Sequence, residues 1–171
     1  MELARWLSSE SYVIVPPVML SPHLSLAEMV ASSTAERLGI DNTPTADQIQ
    51  SLTNWAMVFF EPVRAQFGPC RVSSGYRCTR LNAAVGGVPN DAHEQACGGD
   101  IQPLDPKYAP RDIVKWVAEE SKLPFDQVIY EHDGVAFWCH LGGALAQHGG
   151  IPRQQALDYN GTAYVPWVTG S

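Results

Sequence analysis

The stretch Ser73–Asp100, SSGYRCTRLNAAVGGVPNDAHEQACGGD, sets an arginine, a histidine and an aspartate among glycines, a proline and small residues. It offers little apolar side chain to bury, so it makes a poor core and a candidate site. Residues 71–74 read as a short strand running into Gly75-Tyr76-Arg77. Residues 79–85 read as a short helix stopped by Gly86-Gly87, residues 88–99 as loop, and Asp100-Ile101 opens a second strand.

Upstream of this stretch the chain is helical. Residues 1–20 read as an irregular or lightly paired lead-in, and residues 21–171 as one domain. Ser25 and Glu28 have capping-box spacing, and Leu26, Met29, Val30 and Ser33 then share a face up to Gly39, a natural stop. Thr45 and Gln48 repeat the box and open a longer helix with Ile49, Leu52, Trp55, Ala56 and Phe59 on its buried stripe. Pro62 is expected to kink or end it. Downstream, residues 110–121 form an amphipathic helix with Ile113, Val114, Trp116 and Val117 inside. Residues 127–131 and 136–141 flank Asp133-Gly134, a hairpin signal. Residues 142–155 read as glycine-rich loop, and 163–168 as an edge strand. Helices first and strands after predict a single α+β domain, its N-terminal helices packed on a small antiparallel sheet.

Composition narrows the function. A chain of 171 residues, 45% apolar and 17% charged, builds a globular core without staples. Its net charge of −7 argues against a basic surface for nucleic acid. The longest apolar run, Tyr12–Leu20, is cut by Pro16-Pro17 and is too short to span a membrane. The first residues, MELARWLSSES, lack the pattern of a secretory signal peptide. Cys70, Cys78, Cys97 and Cys139 show no metal-finger spacing and read as reduced, buried residues, with a Cys70–Cys78 bridge left open.

His93 and Asp100 lie seven apart, and His140 sits far along the chain in Phe137-Trp138-Cys139-His140. A helix would separate the first two by roughly 10 Å, and a continuous strand would turn them to opposite faces. They converge only if the segment between them folds back, which Gly98-Gly99 permits. Two histidines and an aspartate would then leave one position open, as a catalytic zinc site does. Spacing alone leaves a loop histidine, a capping carboxylate and a sheet histidine equally open.

Five motifs occur in order: Ser73-Ser74-Gly75-Tyr76-Arg77, Leu81-Asn82-x3-Gly86-Gly87, His93-x6-Asp100, Phe125-Asp126-Gln127-x-Ile129-x-Glu131 and Trp138-x-His140. Together they resemble the zinc D-alanyl-D-alanine carboxypeptidase family, whose members include phage L-alanyl-D-glutamate endopeptidases. Upstream, Leu20-Ser21-Pro22-His23-x-Ser25-Leu26-x-Glu28 and Leu38-Gly39-Ile40-Asp41-Asn42 are similar to the small phage-type branch. The resemblance implies a metallopeptidase with one Zn2+ per chain on His93, Asp100 and His140, acting on peptidoglycan stem peptides. It implies a zinc-activated water as nucleophile and Arg77 as the grip on a substrate carboxylate. It also implies a phage-encoded protein, virion-associated or released through a lysis pore as an endolysin is.

The general base is less fixed. Many relatives carry a glutamate three positions before the last histidine ligand, where this chain has Phe137. The phage-type branch carries Glu-x-Asp before Trp-x-His, matched here by Glu131 and Asp133. A two-residue hairpin turn would pair Glu131 with Ala136 on the face of His140, and a three-residue loop would bring His132 there instead. The order of preference is Glu131, then Asp133, then His132. The family's usual Ser-x-His-x2-Gly-x-Ala-x-Asp is altered to Asp91, Ala96 and Gly98. Such departures leave a rival reading: a virion structural or wall-binding protein that keeps the peptidase fold with little or no turnover.

Overall fold

A six-stranded sheet organises the protein, described here from a computed structural model over residues 17–169. Its strands are β3 (Cys70–Ser74), β4 (Gly98–Pro103), β5 (Gln127–His132), β6 (Phe137–Gly142), β7 (Gln155–Tyr159) and β8 (Tyr164–Pro166). They lie in the order β3-β4-β6-β5-β7-β8. Every neighbouring pair is antiparallel except β5 and β7, which run parallel. The expected loop over 142–155 thus ends in a strand, β7, that carries the chain back beside β5. β8 is the edge strand expected over 163–168.

The helical half differs from expectation at two points, the first helix and Pro62. Residues 1–16 of the expected lead-in lie outside the described residues, and its end is lightly paired. β1 (Met19–Ser21) pairs with β2 (Leu24–Ser25), and Leu20 and Leu24 bury in the core. The helix opened by the reciprocal Ser25–Glu28 box is short, α1 (Leu26–Val30). The chain turns extended at Ala31 and restarts as α2 (Ser33–Leu38), because the Ser32 hydroxyl caps Ala35 N–H and competes with helix continuation. Gly39 closes α2 at a φ of 59°, as its position predicts.

Pro62 does not end the long helix. α3 (Ala46–Trp55) passes into a wide π-type stretch, Ala56–Phe60, and on into α4 (Glu61–Phe67). Glu61 N–H reaches back five residues to Ala56 carbonyl. That widened turn just ahead of Pro62 absorbs the missing N–H and the ring clash a proline brings. α5 (Thr79–Ala84) and α6 (Pro110–Lys115) complete the helices, α6 running into a second π-type turn, Trp116–Glu120.

Sheet alternation divides the two faces. Ile101, Val128, Cys139 and Leu141 point to one side and are fully buried with Leu52, Trp55, Phe60, Val63, Ile113, Val114 and Val117. Trp55 locks this packing. Its indole N–H donates to Leu141 carbonyl at 2.9 Å, and its ring lies where a side chain on Gly99 would have to go. One tryptophan therefore fixes β4 and β6 from below, at the two strands whose other face carries Asp100 and His140.

Candidate functional site

Cross-strand register builds the floor of the site. Asp100 pairs with His140, His140 with Ile129, and Glu131 with Trp138, so all five share the face away from the core. The hairpin has neither a two- nor a three-residue turn. Asp133–Ala136 form a four-residue connection closed by Asp133 N–H to Ala136 carbonyl at 3.2 Å. Relative to the two-residue turn Asp133-Gly134, two further residues, Val135 and Ala136, join the loop, both from the β6 side. Pairing parity is thereby kept, and Glu131 stays on the side of His140.

His93 arrives from above. Gly98 and Gly142 are cross-strand partners and leave a bare patch of backbone on which Ala92 rests. A Cβ on Gly98 would lie 2.5 Å from the Ala92 methyl, so neither residue leaves room for a larger one. His93 then donates from Nδ1 to Gly75 carbonyl at 2.7 Å, while its Nε2 stands 3.3 Å from Asp100 Oδ1. His140 Nδ1 approaches the same oxygen at 2.9 Å. One ligand atom from each of the three lies within 4.8 Å of the others, and all three side chains are buried.

The donor set fits a metal ion. The Gly75 carbonyl can only accept, so the Nδ1 of His93 donates to it, and Nε2 is the ring atom turned toward the Asp100 carboxylate. A ring nitrogen facing a carboxylate in a dry site needs a positive charge at the contact, supplied either by a proton on Nε2 or by a metal ion bound by Nε2 and the carboxylate. Burial pushes the Asp100 carboxyl up, but the charge of His93 and the hydrogen bonds from both imidazoles outweigh it and hold the group well below the usual carboxylate range. Burial also opposes charge on His140, yet its bond to Asp100 raises it above the ordinary imidazole value.

The altered motif positions have local explanations. Asp91 Oδ1 accepts Glu94 N–H at 2.9 Å, a bond a serine hydroxyl also makes. Gly98 replaces an alanine that would collide with Ala92. Ala96 occupies a left-handed φ of 57°, where glycine costs nothing and an L-residue costs about 1–2 kcal/mol.

Arg77 joins this centre from the end of the Ser-Gly-Tyr-Arg turn. Its guanidinium donates to Ser74 Oγ at 2.8 Å, to Asn82 Oδ1 at 3.3 Å and to Asp100 Oδ2 at 3.5 Å. Buried Asn82 in turn donates to Val88 carbonyl and to Glu94. A side chain on Gly87 would strike that amide, which accounts for the Asn-x3-Gly-Gly spacing.

These residues line a cleft of about 710 Å3, within the range of small-molecule sites. His93, Asp100, His140, Arg77 and Glu131 all face it, with Trp138 and Tyr164 beside Glu131. The structure does not bring the other candidates there. Asp133 Oδ1 accepts the N–H groups of Val135 and Ala136, closing the hairpin loop. The His132 ring packs at a tilt against Phe137 and Tyr159. Phe137 lies on Tyr130 at the opposite face from His140, so this position cannot present a carboxylate to the cluster. At the far wall, buried Asp126 accepts from Arg153 Nε and Nη2, the latter at 2.6 Å, and anchors the 142–154 loop.

Sequence reasoning missed three site residues: Tyr164, Arg153 and Asn82 as the holder of Arg77. Asn82 stood inside a quoted motif, whereas Tyr164 and Arg153 lie in segments with no local signal. The cysteines serve no role here. All four are free, and burial pushes the Cys70 thiol up to about 11 and that of Cys97 up to about 12.

A buried His–Asp–His cluster on a sheet floor, at the base of an open cleft with a carboxylate beside it, is an arrangement suited to metal-assisted hydrolysis. Residues 22–141 match the sequence model of the family described as Peptidase M15, and the chain belongs to that family. It is accordingly a hydrolase of the metallopeptidase kind. No curated protein matches the chain.

Proposed function

We propose that this protein is a zinc-dependent peptidase that cuts a peptide bond in the stem peptides of peptidoglycan. The observation that carries the reading is the convergence of His93, Asp100 and His140 in one buried cluster, with Glu131 on the same sheet face and Arg77 at its side. One zinc ion would be held by His93 through Nε2, by His140 through Nδ1 and by the Asp100 carboxylate. When bound, it supplies Lewis acidity toward the scissile carbonyl and makes water nucleophilic near neutral pH.

The chain's own residues do the rest. Gly75 carbonyl fixes the His93 tautomer and ring orientation. Glu131 takes the proton of the attacking water and returns it to the leaving amine. Arg77, whose planar fork matches a carboxylate, orients a substrate carboxylate next to the cut. D-Ala-D-Ala and L-Ala-D-Glu bonds both present one. The motif likeness to the phage-type branch supports a phage-encoded protein that reaches the wall in a virion or through a lysis pore.

Purified protein is expected to carry about one zinc per chain and to release new amino termini from purified peptidoglycan in a chelator-sensitive manner. The released fragments identify the bond. His93→Ala and Asp100→Ala lose the metal, while Glu131→Gln keeps it and loses turnover. Full zinc occupancy in both ligand variants would refute the assignment. Zinc without release would favour a wall-binding protein that retains only the fold.

A further inference from the structure

Glu131 is gripped from two sides. Trp138, its cross-strand partner, donates its indole N–H to Oε2 at 2.9 Å, and Tyr164 donates its hydroxyl to Oε1 at 2.6 Å. Tyr164 belongs to β8, beyond residue 141 where the family match ends.

Its placement is constructed rather than incidental. β7 runs parallel to β5 with Leu157 opposite Ile129, and β8 returns along β7 with Tyr164 opposite Tyr159. The connecting turn is held by Asn160 Oδ1, which accepts Thr162 N–H at 3.0 Å and Ala163 N–H at 2.9 Å. The Tyr159 ring packs on the Tyr164 ring at 5.1 Å between centroids. β8 lies two strands from β5, roughly 10 Å at ordinary strand spacing. Only a long side chain reaches Glu131 across β7, and a phenol does so with few torsions to freeze.

We propose that Tyr164 is a positioning residue for the general base: with Trp138 it fixes the Glu131 carboxylate in the cleft, one donor on each oxygen. The inference rests on the reading of Glu131 as that base. A glutamate on a half-exposed strand has three side-chain torsions, and two fixed donors reduce them to one orientation before substrate arrives. Two holders suit a base drawn from β5, since Phe137 turns the family's more usual position to the other face. Burial and the bond to Glu131 both raise the Tyr164 phenol, so it remains a donor throughout the neutral range.

The test compares Tyr164→Phe, Glu131→Gln and the double variant in the zinc-loaded protein. Tyr164→Phe is expected to lower kcat about tenfold, the worth of one charge-assisted hydrogen bond, with KM and zinc content unchanged. In the Glu131→Gln background the same substitution should have no further effect. A second readout needs no turnover: the Trp138 indole N–H resonance of metal-free protein, identified by its loss in Trp138→Phe, should move in Tyr164→Phe. A wild-type kcat with an unmoved indole resonance would overturn the inference, as would a raised KM at unchanged kcat or fully additive losses. If wild-type protein cuts no peptide, the functional reading itself has failed. That result is distinct from an active wild type with an equally active Tyr164→Phe.

Discussion

Gly75→Ala tests whether close packing at α1 sets the proposed metal centre. A Cβ on Gly75 would lie 2.2 Å from Met29 carbonyl oxygen and 2.7 Å from Met29 Sδ, where ordinary contact begins at 3.4 Å. The sulfur can swing away, but the carbonyl cannot, because it caps the end of α1 and accepts Tyr76 N–H at 2.8 Å. The turn must therefore retreat by about 1 Å. The 2.7 Å bond from His93 Nδ1 to Gly75 carbonyl would then stretch out of hydrogen-bonding range. Overpacking of this kind costs about 1–3 kcal/mol, and the weakened Tyr76 bond about 1 more. Losing the partner that orients a metal-binding histidine lowers affinity about 10–100-fold. Zinc affinity is measured by competition with a chromophoric chelator, and stability by the urea midpoint. Leu52→Ala is the control: fully buried and away from the site, it should cost about 2–5 kcal/mol and leave zinc affinity unchanged. Gly75→Ala with wild-type zinc affinity would refute the reasoning. So would an equal affinity loss in Leu52→Ala, which would make general stability the cause.

Three further outcomes follow from the same geometry. Asp126 is pushed up by burial but held below its usual range by Arg153, so its stabilisation is present above the unfolded carboxylate value near about 4 and lost as pH falls through the lower folded value. The urea midpoint of wild type should fall below about pH 4 and converge on that of Asp126→Asn; a constant gap between them would contradict the ion pair. Phe137→Glu should not restore turnover to Glu131→Gln, because its side chain leaves β6 on the face away from His140; measurable rescue would mean that strand is re-registered. At pH 8 a thiol reagent should modify half-buried Cys78 first, and leave Cys70, Cys97 and Cys139 untouched until urea unfolds the chain; mass mapping of early adducts decides this.

What the sequence discloses about this fold is mostly local. Capping boxes at Ser25 and Thr45 and the Asp133-Gly134 hairpin signal each depend on contacts within a few residues, so their pattern is written in order along the chain. The break at Ala31 and the passage through Pro62 were hidden for the opposite reason. The first depends on which of several serines wins the cap, and the second on a widened turn, Ala56–Phe60, that no residue pattern ahead of the proline signals. β7 carries only a weak alternation, and its parallel pairing to β5 is a long-range choice. The site divides in the same way. His93, Asp100, His140, Arg77 and Glu131 come with motif neighbours whose spacing has a steric meaning, visible once Gly75, Gly87 and Gly98 are seen to touch Met29, Asn82 and Ala92. Tyr164 and Arg153 reach their partners across other strands and loops, and no spacing rule announces such a contact.

The hairpin between β5 and β6 also bears on how this chain can change length. Its loop took two residues from the β6 side, and Glu131 kept its face. An even gain or loss leaves strand parity alone, whereas a single inserted residue inside either arm rotates every side chain beyond it by half a turn. Insertions at the tip of Asp133–Ala136 are therefore silent for the cleft, and one inserted between Glu131 and Asp133 is silent as well only if the extra residue is expelled into the loop. One inserted between Trp138 and His140 has no such escape, since Trp55 pins Leu141 from beneath. The tip is the place to graft a peptide tag or a wall-anchoring segment, and the two residues before His140 are the place where a one-codon slip would dismantle the centre.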